Sequence, residues 1–241
     1  MTSGRCCSVV ELRQYTLRLG QRDVLIAFFD HELVETQEAV GIHVIGQFRD
    51  LDAPDRFVWL RGFTDMESRA TSLAAFYGGP VWAAHRDAAN ATMVDSDDVL
   101  LLRPAHVDSG LAHPPPARPN DDPSSPALFE VSVYALRTAR DKAASFAAFF
   151  GARVAPLLRD LGAPPIAWYV TEEAENTFPA LPVRVGEHVL VALARFRDED
   201  DYGDHLRRRR AAPTLTDEID AALARPVHRL RLVPTSRSQL R

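Results

Sequence analysis

Four residues that alternate along one stretch, Phe57, Trp59, Arg61 and Phe63, give this chain its sharpest chemical signal. In a strand they share one face, which sets a single guanidinium among three aromatic rings. A guanidinium is always charged and offers a planar fork of donors, so in apolar surroundings it needs an acceptor. One acceptor is a ligand oxygen that is or becomes anionic: a carboxylate, phenolate or enolate. The other is internal, with Arg61 paired to Glu11 or Asp65 or set at a seam of the fold. Glu11, Arg13 and Tyr15 alternate in the same way. They read as an ion-pair ladder along a seam between sheets, with the Tyr15 hydroxyl also able to donate to a substrate oxygen. His85 follows Trp82 by about one helical turn and lies near Asn90. Imidazole is the side chain best suited to moving a proton near neutral pH. His85 therefore reads as a general base, with Asn90 or Arg61 stabilising the developing oxyanion, or else as a helix-surface histidine. Trp59, Phe63, Tyr77 and Trp82 would wall the cavity.

Other candidates are weaker. His31 and Glu35 have the i, i+4 spacing of metal ligands, but Asp30, Glu32 and Glu38 surround them and a solvated charged face accounts for the pattern. Arg207–Arg210 is offset by the acids of Asp198–Asp204, and the formal charge of −5 offers no general attraction to a phosphate backbone. His188 and His205 have no convincing companions. The chain contains no Walker loop, dinucleotide fingerprint, zinc spacing or Gly-x-Ser-x-Gly elbow. Nucleotide-dependent and serine-hydrolase chemistry drop out, and no metal site is expected.

The elements that must hold these residues occur twice. Val9–Leu17 (VVELRQYTL) aligns with Leu128–Leu136 (LFEVSVYAL), and each is followed by an apolar helix carrying Ala-Phe-Phe, at Ala27–Phe29 and Ala148–Phe150. A period of roughly one hundred residues is too long for a solenoid and suits two copies of a small α+β domain. The first copy reads as a strand, a helix over Arg22–Ala39 stopped by Gly41, strands at Ile42–Phe48 and Arg56–Phe63, a helix opened by Thr64–Glu67, a further helix from Pro80, and a strand at Val99–Arg103. The second has a helix over Asp141–Leu161 with a bend expected at Pro156. It continues with strands at Ile166–Thr171 and Val189–Phe196, the charged segment Arg197–Arg210, a helix at Thr216–Ala224 and a strand at Val227–Val233.

Between the copies, Pro104–Pro126 holds seven of the seventeen prolines, the composition of a linker. The expected organisation is a first domain at 8–104 with the site, a linker at 105–126, and a diverged second domain at 127–235. Only Cys6 and Cys7 occur, too close in sequence to staple a fold. The 46% hydrophobic and 25% charged composition is that of a soluble globular protein, and neither a membrane span nor a signal-peptide core is visible. Cytoplasmic localisation is the expectation, with no nucleic acid or membrane partner. Nearly all basic residues are arginine, Lys142 being the sole lysine, so a single Arg is weak evidence of function.

A βαββαβ order gives a ferredoxin-like sandwich with one bare sheet face, and duplication supplies the second sheet. The expected fold is α+β, two tandem ferredoxin-like domains forming a pseudo-dimeric α+β barrel. Glu11–Leu17 (ELRQYTL), Phe57–Phe63 (FVWLRGF), Phe76–Met93 (FYGGPVWAAHRDAANATM) and Asp95–Pro104 (DSDDVLLLRP) resemble bacterial NIPSNAP-family proteins. The resemblance covers nearly all of the first copy; the second keeps the layout and lacks the Trp–His segment. It implies the dimeric α+β barrel superfamily, whose members include cofactor-free monooxygenases, cyclases and haem-dependent enzymes, and it does not fix one reaction. The expected function is a small-molecule enzyme, in specialised metabolism, that uses no nucleotide cofactor. Its substrate would be apolar or aromatic with a carbonyl or acidic oxygen, and the reaction oxygenation, cyclisation or elimination. Arg61 and Tyr15 would hold the oxygen and His85 would move a proton. The alternatives are a haem protein with His85 or a second-copy histidine as axial ligand, and a non-catalytic binding or assembly protein. The chain is expected to be an intramolecular pseudo-dimer, with a homodimer possible.

Overall fold

The computed structural model describes residues 7–112, 117–119, 125–137, 140–212 and 216–241. In the first repeat, β1 (Val9–Leu17) turns at Gly20 into α1 (Arg22–Phe28). A π-helical turn at Phe29–Leu33 joins α1 to α2 (Val34–Glu38), and Gly41, at φ 88°, stops the helix where expected. β2 (His43–Asp50) and β3 (Arg56–Phe63) form an antiparallel hairpin. α3 (Met66–Tyr77) is capped by Asp65, whose carboxylate accepts from the Ser68 amide at 2.7 Å. α4 (Pro80–Thr92) runs directly into β4 (Met93–Pro104), which starts before the expected Val99 because its pairing with β1 extends to Met93 opposite Leu17.

The second repeat follows the same order: β5 (Leu128–Ala135), α5 (Arg140–Phe149), a π-helical turn at Phe150–Val154, α6 (Ala155–Asp160), β6 (Pro165–Thr171), β7 (Val189–Phe196), α7 (Glu199–Ala211), α8 (Thr216–Ala222) and β8 (His228–Pro234). The irregularity expected at Pro156 is the wide turn just before it. The same turn occurs in the first repeat without a proline, so it belongs to the repeat and not to proline. The charged segment Arg197–Arg210 is mostly α7, capped by Asp198 as α3 is by Asp65.

Eight antiparallel strands close a barrel in the order β1-β3-β2-β8-β5-β7-β6-β4, four from each repeat. Two equivalent seams join the repeats: Phe48–Asp50 with Leu232–Pro234, and Leu102–Pro104 with Tyr169–Thr171. This is the pseudo-dimeric α+β barrel the duplication predicts. Leu12, Phe48, Leu60, Phe129, Val131 and Leu193 fill its interior. Strand residues alternate, so Val9, Glu11, Arg13 and Tyr15 point the other way, beneath the helices. The polar face of β1 was expected at the seam between sheets; it lies instead between sheet and helices.

The expected linker is partly packed: the Ala105 amide donates to the Trp168 carbonyl at 3.3 Å and Arg118 Nη2 to the Val44 carbonyl at 2.6 Å. Its residues 113–116 and 120–124, and Cys6, lie outside the described residues. Beyond 235 the chain packs on the first repeat, with Ser238 buried and its hydroxyl accepting from the Gln47 amide at 3.2 Å. Among the described residues, no helix is long and apolar enough to cross a membrane.

Candidate functional site

Pairing of β1 with β3 sets Glu11 beside Arg61 and Arg13 beside Trp59. α3 crosses over them and brings in Arg69. The three arginines converge on one carboxylate. Arg61 Nε and Arg13 Nη1 donate to Glu11 Oε2 at 2.8 and 2.6 Å, and Arg69 Nε donates to Oε1 at 2.7 Å. All four side chains are buried, Glu11, Arg61 and Arg69 completely. Burial alone would raise the Glu11 pKa, but Arg61, Arg13 and Arg69 overcome it and hold the carboxyl far below its ordinary value. Arg13 is pulled down by burial and raised on balance by Tyr15 and Glu11. One anion thus faces three cations, leaving two positive charges without a counterion inside the cluster.

Aromatic rings enclose this charge. The Arg61 guanidinium lies 5.2 Å from the Trp59 ring, 5.7 Å from Phe63 and 6.0 Å from Tyr77. Arg13 Nε donates to the Tyr15 hydroxyl at 3.0 Å, and Arg61 Nη1 to the Tyr77 hydroxyl at 3.4 Å. Burial raises the Tyr15 pKa although Arg13 opposes it, so this phenol stays protonated. Three buried donors, Nη2 of Arg61, Nη2 of Arg69 and Nε1 of Trp59, have no hydrogen-bond partner among the described residues. The cluster is short of both negative charge and acceptors. An oxyanion supplies both.

Residues 10–107 match the NIPSNAP family model. Over these residues the first repeat is similar to that family. No curated protein sequence matches the chain. The solved structures that resemble it along its length share the fold at low identity. A protein assigned provisionally as a monooxygenase, from Lactobacillus acidophilus NCFM, is 12% identical with a TM-score of 0.54, covering 96% of each chain. A similarly assigned protein from Fusobacterium nucleatum is 10% identical with a TM-score of 0.56, covering 94% of this chain and 92% of its own. An anthrone oxidase-like protein is 10% identical with a TM-score of 0.53, covering 94% and 91%.

The second repeat differs from the first at the equivalent positions. Register pairs Glu130 with Ala194 and Ser132 with Ala192, so Ser132, Ala192 and Ala194 stand where the first repeat has Arg13, Trp59 and Arg61. Four residues after each capping aspartate, α7 carries Tyr202 where α3 carries Arg69. The buried Glu130 takes hydrogen bonds from Ser132 Oγ at 2.8 Å and Tyr202 Oη at 3.1 Å, with Arg229 at 3.7 Å. The fold therefore accommodates this glutamate without surplus cations.

The sequence-derived residues divide into two groups. Arg61, Tyr15, Trp59, Phe63 and Tyr77 meet at the cluster, and Trp82 backs Tyr77 with ring centroids 5.0 Å apart. His85 and Asn90 do not join them. α4 packs against α1 and α3, in a layer outside the sheet. His85 there lies against Phe28, 3.8 Å from Glu32, with its side chain 37% exposed; Asn90 is exposed at the end of α4. Arg61 pairs with Glu11, as one of the sequence alternatives holds, yet keeps a donor to spare. Arg69 escaped the sequence reading, as did the contact it makes with a strap from the second repeat, the expanded stretch of residues 172–188 between β6 and β7. Arg69 Nη1 donates to Asn176 Oδ1 at 3.0 Å and Thr177 Oγ1 at 3.3 Å, and Phe178 stacks on Tyr77 with ring centroids 5.9 Å apart. The one available signal was length: the equivalent β2–β3 connection spans only residues 51–55.

A separate cleft of about 650 Å³ lies in the second repeat, where Ala144, Ala147 and Gly151 of the helix leave space above Trp168 and Val170. On its rim His188 Nδ1 lies 3.5 Å from Glu173 and has no hydrogen-bond partner among the described residues. Among the described residues, no group of three or more His, Cys, Asp or Glu is placed to hold a metal ion.

Proposed function

We propose that this protein is a small-molecule enzyme working without a nucleotide cofactor, and that its first repeat binds an aromatic substrate through an ionised oxygen. The surplus of two positive charges around Glu11, absent around Glu130, carries the reading. Arg61 and Arg69 would hold the oxyanion with their spare Nη2 groups, and Trp59, Phe63 and Tyr77 would flank the apolar body. Removed from water, such donors favour an enolate or phenolate over its neutral parent. Glu11 is pinned as an anion by three cations and Tyr15 is kept protonated, so neither is a good proton acceptor. Substrate that binds already ionised fits this toolkit best.

Oxygenation leads the three candidate reaction types because it needs little beyond the carbanion-like electron density of that anion. For an anthrone the balance is a CH2 carbon and dioxygen giving a C=O carbon and water. The fold shared with proteins named as monooxygenase and anthrone oxidase-like supports the same class. Two measurements test the proposal. Binding of 1-hydroxy-2-naphthoate, followed by its fluorescence, should weaken at least tenfold in Arg61→Met or Arg69→Met. Oxygen uptake with 1,8-dihydroxyanthrone should exceed the buffer rate and fall to it in the same variants. Equal binding by wild type and both variants would remove the oxyanion site. Binding without turnover would remove oxygenation and leave cyclisation or elimination.

A further inference from the structure

The arginines of the first repeat's cluster are sealed. Arg61 and Arg69 have no exposed surface, so a ligand reaches them only if something moves. β1 and β3 are locked on both edges by antiparallel ladders, and α3 is a regular capped helix. The strap has no such ladder of its own. Its ends are pinned to β4: the Glu172 amide donates to the Leu101 carbonyl at 2.9 Å, and Arg184 donates through its amide to Val99 at 2.9 Å and through Nη1 to Asp98 at 3.1 Å. Between these pins it is held over the site by discrete contacts. These include the two acceptors on Arg69, the Thr177 hydroxyl donating to the Met66 carbonyl at 3.1 Å, the ring of Phe178 on Tyr77, and the packing of Leu181 and Val183 on the apolar core beneath the helices. Asn176 also organises the strap, accepting from the Phe178 amide at 3.1 Å and donating to the Leu181 carbonyl at 2.9 Å.

Asn176 Oδ1 and Thr177 Oγ1 are neutral acceptors on a buried cation. A carboxylate or enolate oxygen makes a charge-assisted bond to the same guanidinium, roughly twice as strong as a neutral one. The exchange therefore favours an anion over the strap and gives no such advantage to an alcohol or amide. A surface cavity of about 530 Å³, bordered by Asp65, Met66, Glu172 and Ala174, lies where α3 begins and the strap departs. It offers an approach to the Thr177–Met66 bond from outside.

We propose that the binding site spans both repeats, with Asn176 and Thr177 of the second repeat as positioning residues. They occupy Nη1 of Arg69, beside its spare Nη2, and are displaced by an aromatic oxyanion arriving along the Met66–Glu172 cavity. This rests on the oxyanion reading above. It assigns a role to the expansion of the β6–β7 connection, which the barrel itself does not require, since the β2–β3 connection closes the equivalent hairpin with residues 51–55.

Stopped-flow mixing of the full chain with 1-hydroxy-2-naphthoate separates the two ideas. Asn176→Ala/Thr177→Ala removes the resident acceptors, so the association rate constant should rise at least tenfold while equilibrium affinity is retained or improved. Phe178→Ala, which loosens the strap without touching Arg69, should raise association and dissociation rates together. Melting temperature and circular dichroism identify variants that fold. 1-Naphthylmethanol, the uncharged control, should bind neither wild type nor variants appreciably. Unchanged association rates in both folded variants, with binding still dependent on Arg61 and Arg69, would overturn the strap's role and leave the oxyanion site standing. Failure of wild type to bind the naphthoate would overturn both.

Discussion

Glu11 is outnumbered, and this makes the two kinds of residue in its cluster respond differently to substitution. Glu11→Gln leaves three buried guanidinium ions without a counterion; breaking a buried pair in this way costs about 3–5 kcal/mol. Arg61→Met removes one of the two surplus charges and puts an apolar chain of similar length among Trp59, Phe63 and Tyr77. Chemical denaturation should therefore show a large loss for Glu11→Gln and a loss under about 1 kcal/mol, or a gain, for Arg61→Met. Equal, large losses would make Arg61 a structural residue. The pH dependence has a definite sign. The pKa of Glu11 is depressed in the folded protein, so its stabilisation is complete above the ordinary carboxylate range and is lost only as pH falls toward the much lower folded value. Tyr202 behaves in the opposite sense. Burial and Glu130 push its pKa up to about 12 from 10.0. Its contribution is complete below pH 10.0 and disappears as pH rises toward about 12. Alkaline titration of stability should have a shallower limb in Tyr202→Phe than in wild type across that window.

α3 and α7 occupy equivalent places and present Arg69 and Tyr202 to equivalent glutamates. Transplanting the second repeat's solution, Arg69→Tyr, should let a phenol donate to Glu11 and keep the helix seated, while binding of 1-hydroxy-2-naphthoate falls at least tenfold. A melting temperature within a few degrees of wild type, read beside the binding loss, separates this outcome from misfolding. The same pair of helices shows what the sequence could convey. Strand alternation correctly grouped Glu11 with Tyr15 and Trp59 with Arg61, because a period of two fixes which residues share a face. It could not say which face was which, since this sheet is buried on both sides and the charged face of β1 lies under helices instead of facing water. Helical spacing placed His85 one turn from Trp82 but could not reveal that α4 packs on α1 and α3 outside the sheet, leaving the imidazole beside Glu32. Arg69 was one arginine among many, and the strap has no periodicity from which a contact across repeats could be read.

Closure of the barrel depends on two seams that are copies of each other, β2 with β8 and β4 with β6. Because β8 is the second repeat's equivalent of β4, and β6 of β2, the first repeat alone carries both halves of each seam. Cut away from its partner it would expose β2 and β4 as open edges and uncover the apolar face of Leu12, Phe48, Val58 and Leu60. The same contacts can be restored by a second copy related by a twofold axis, an isologous arrangement in which β2 of each copy meets β4 of the other. A fragment of residues 8–112 should therefore sediment at twice its own mass. A monomeric, folded fragment would show that the seams are not interchangeable. The homodimer would hold two Glu11–Arg61–Arg69 clusters and no strap, since residues 172–188 belong to the other repeat. With the resident acceptors gone from Arg69, each cluster should take up 1-hydroxy-2-naphthoate faster than the full chain and release it faster as well, having lost the Phe178 ring over Tyr77. Slow exchange in such a dimer would mean that the barrier to entry lies in the first repeat itself, and duplication would then have contributed closure of the barrel but no control of access to the site.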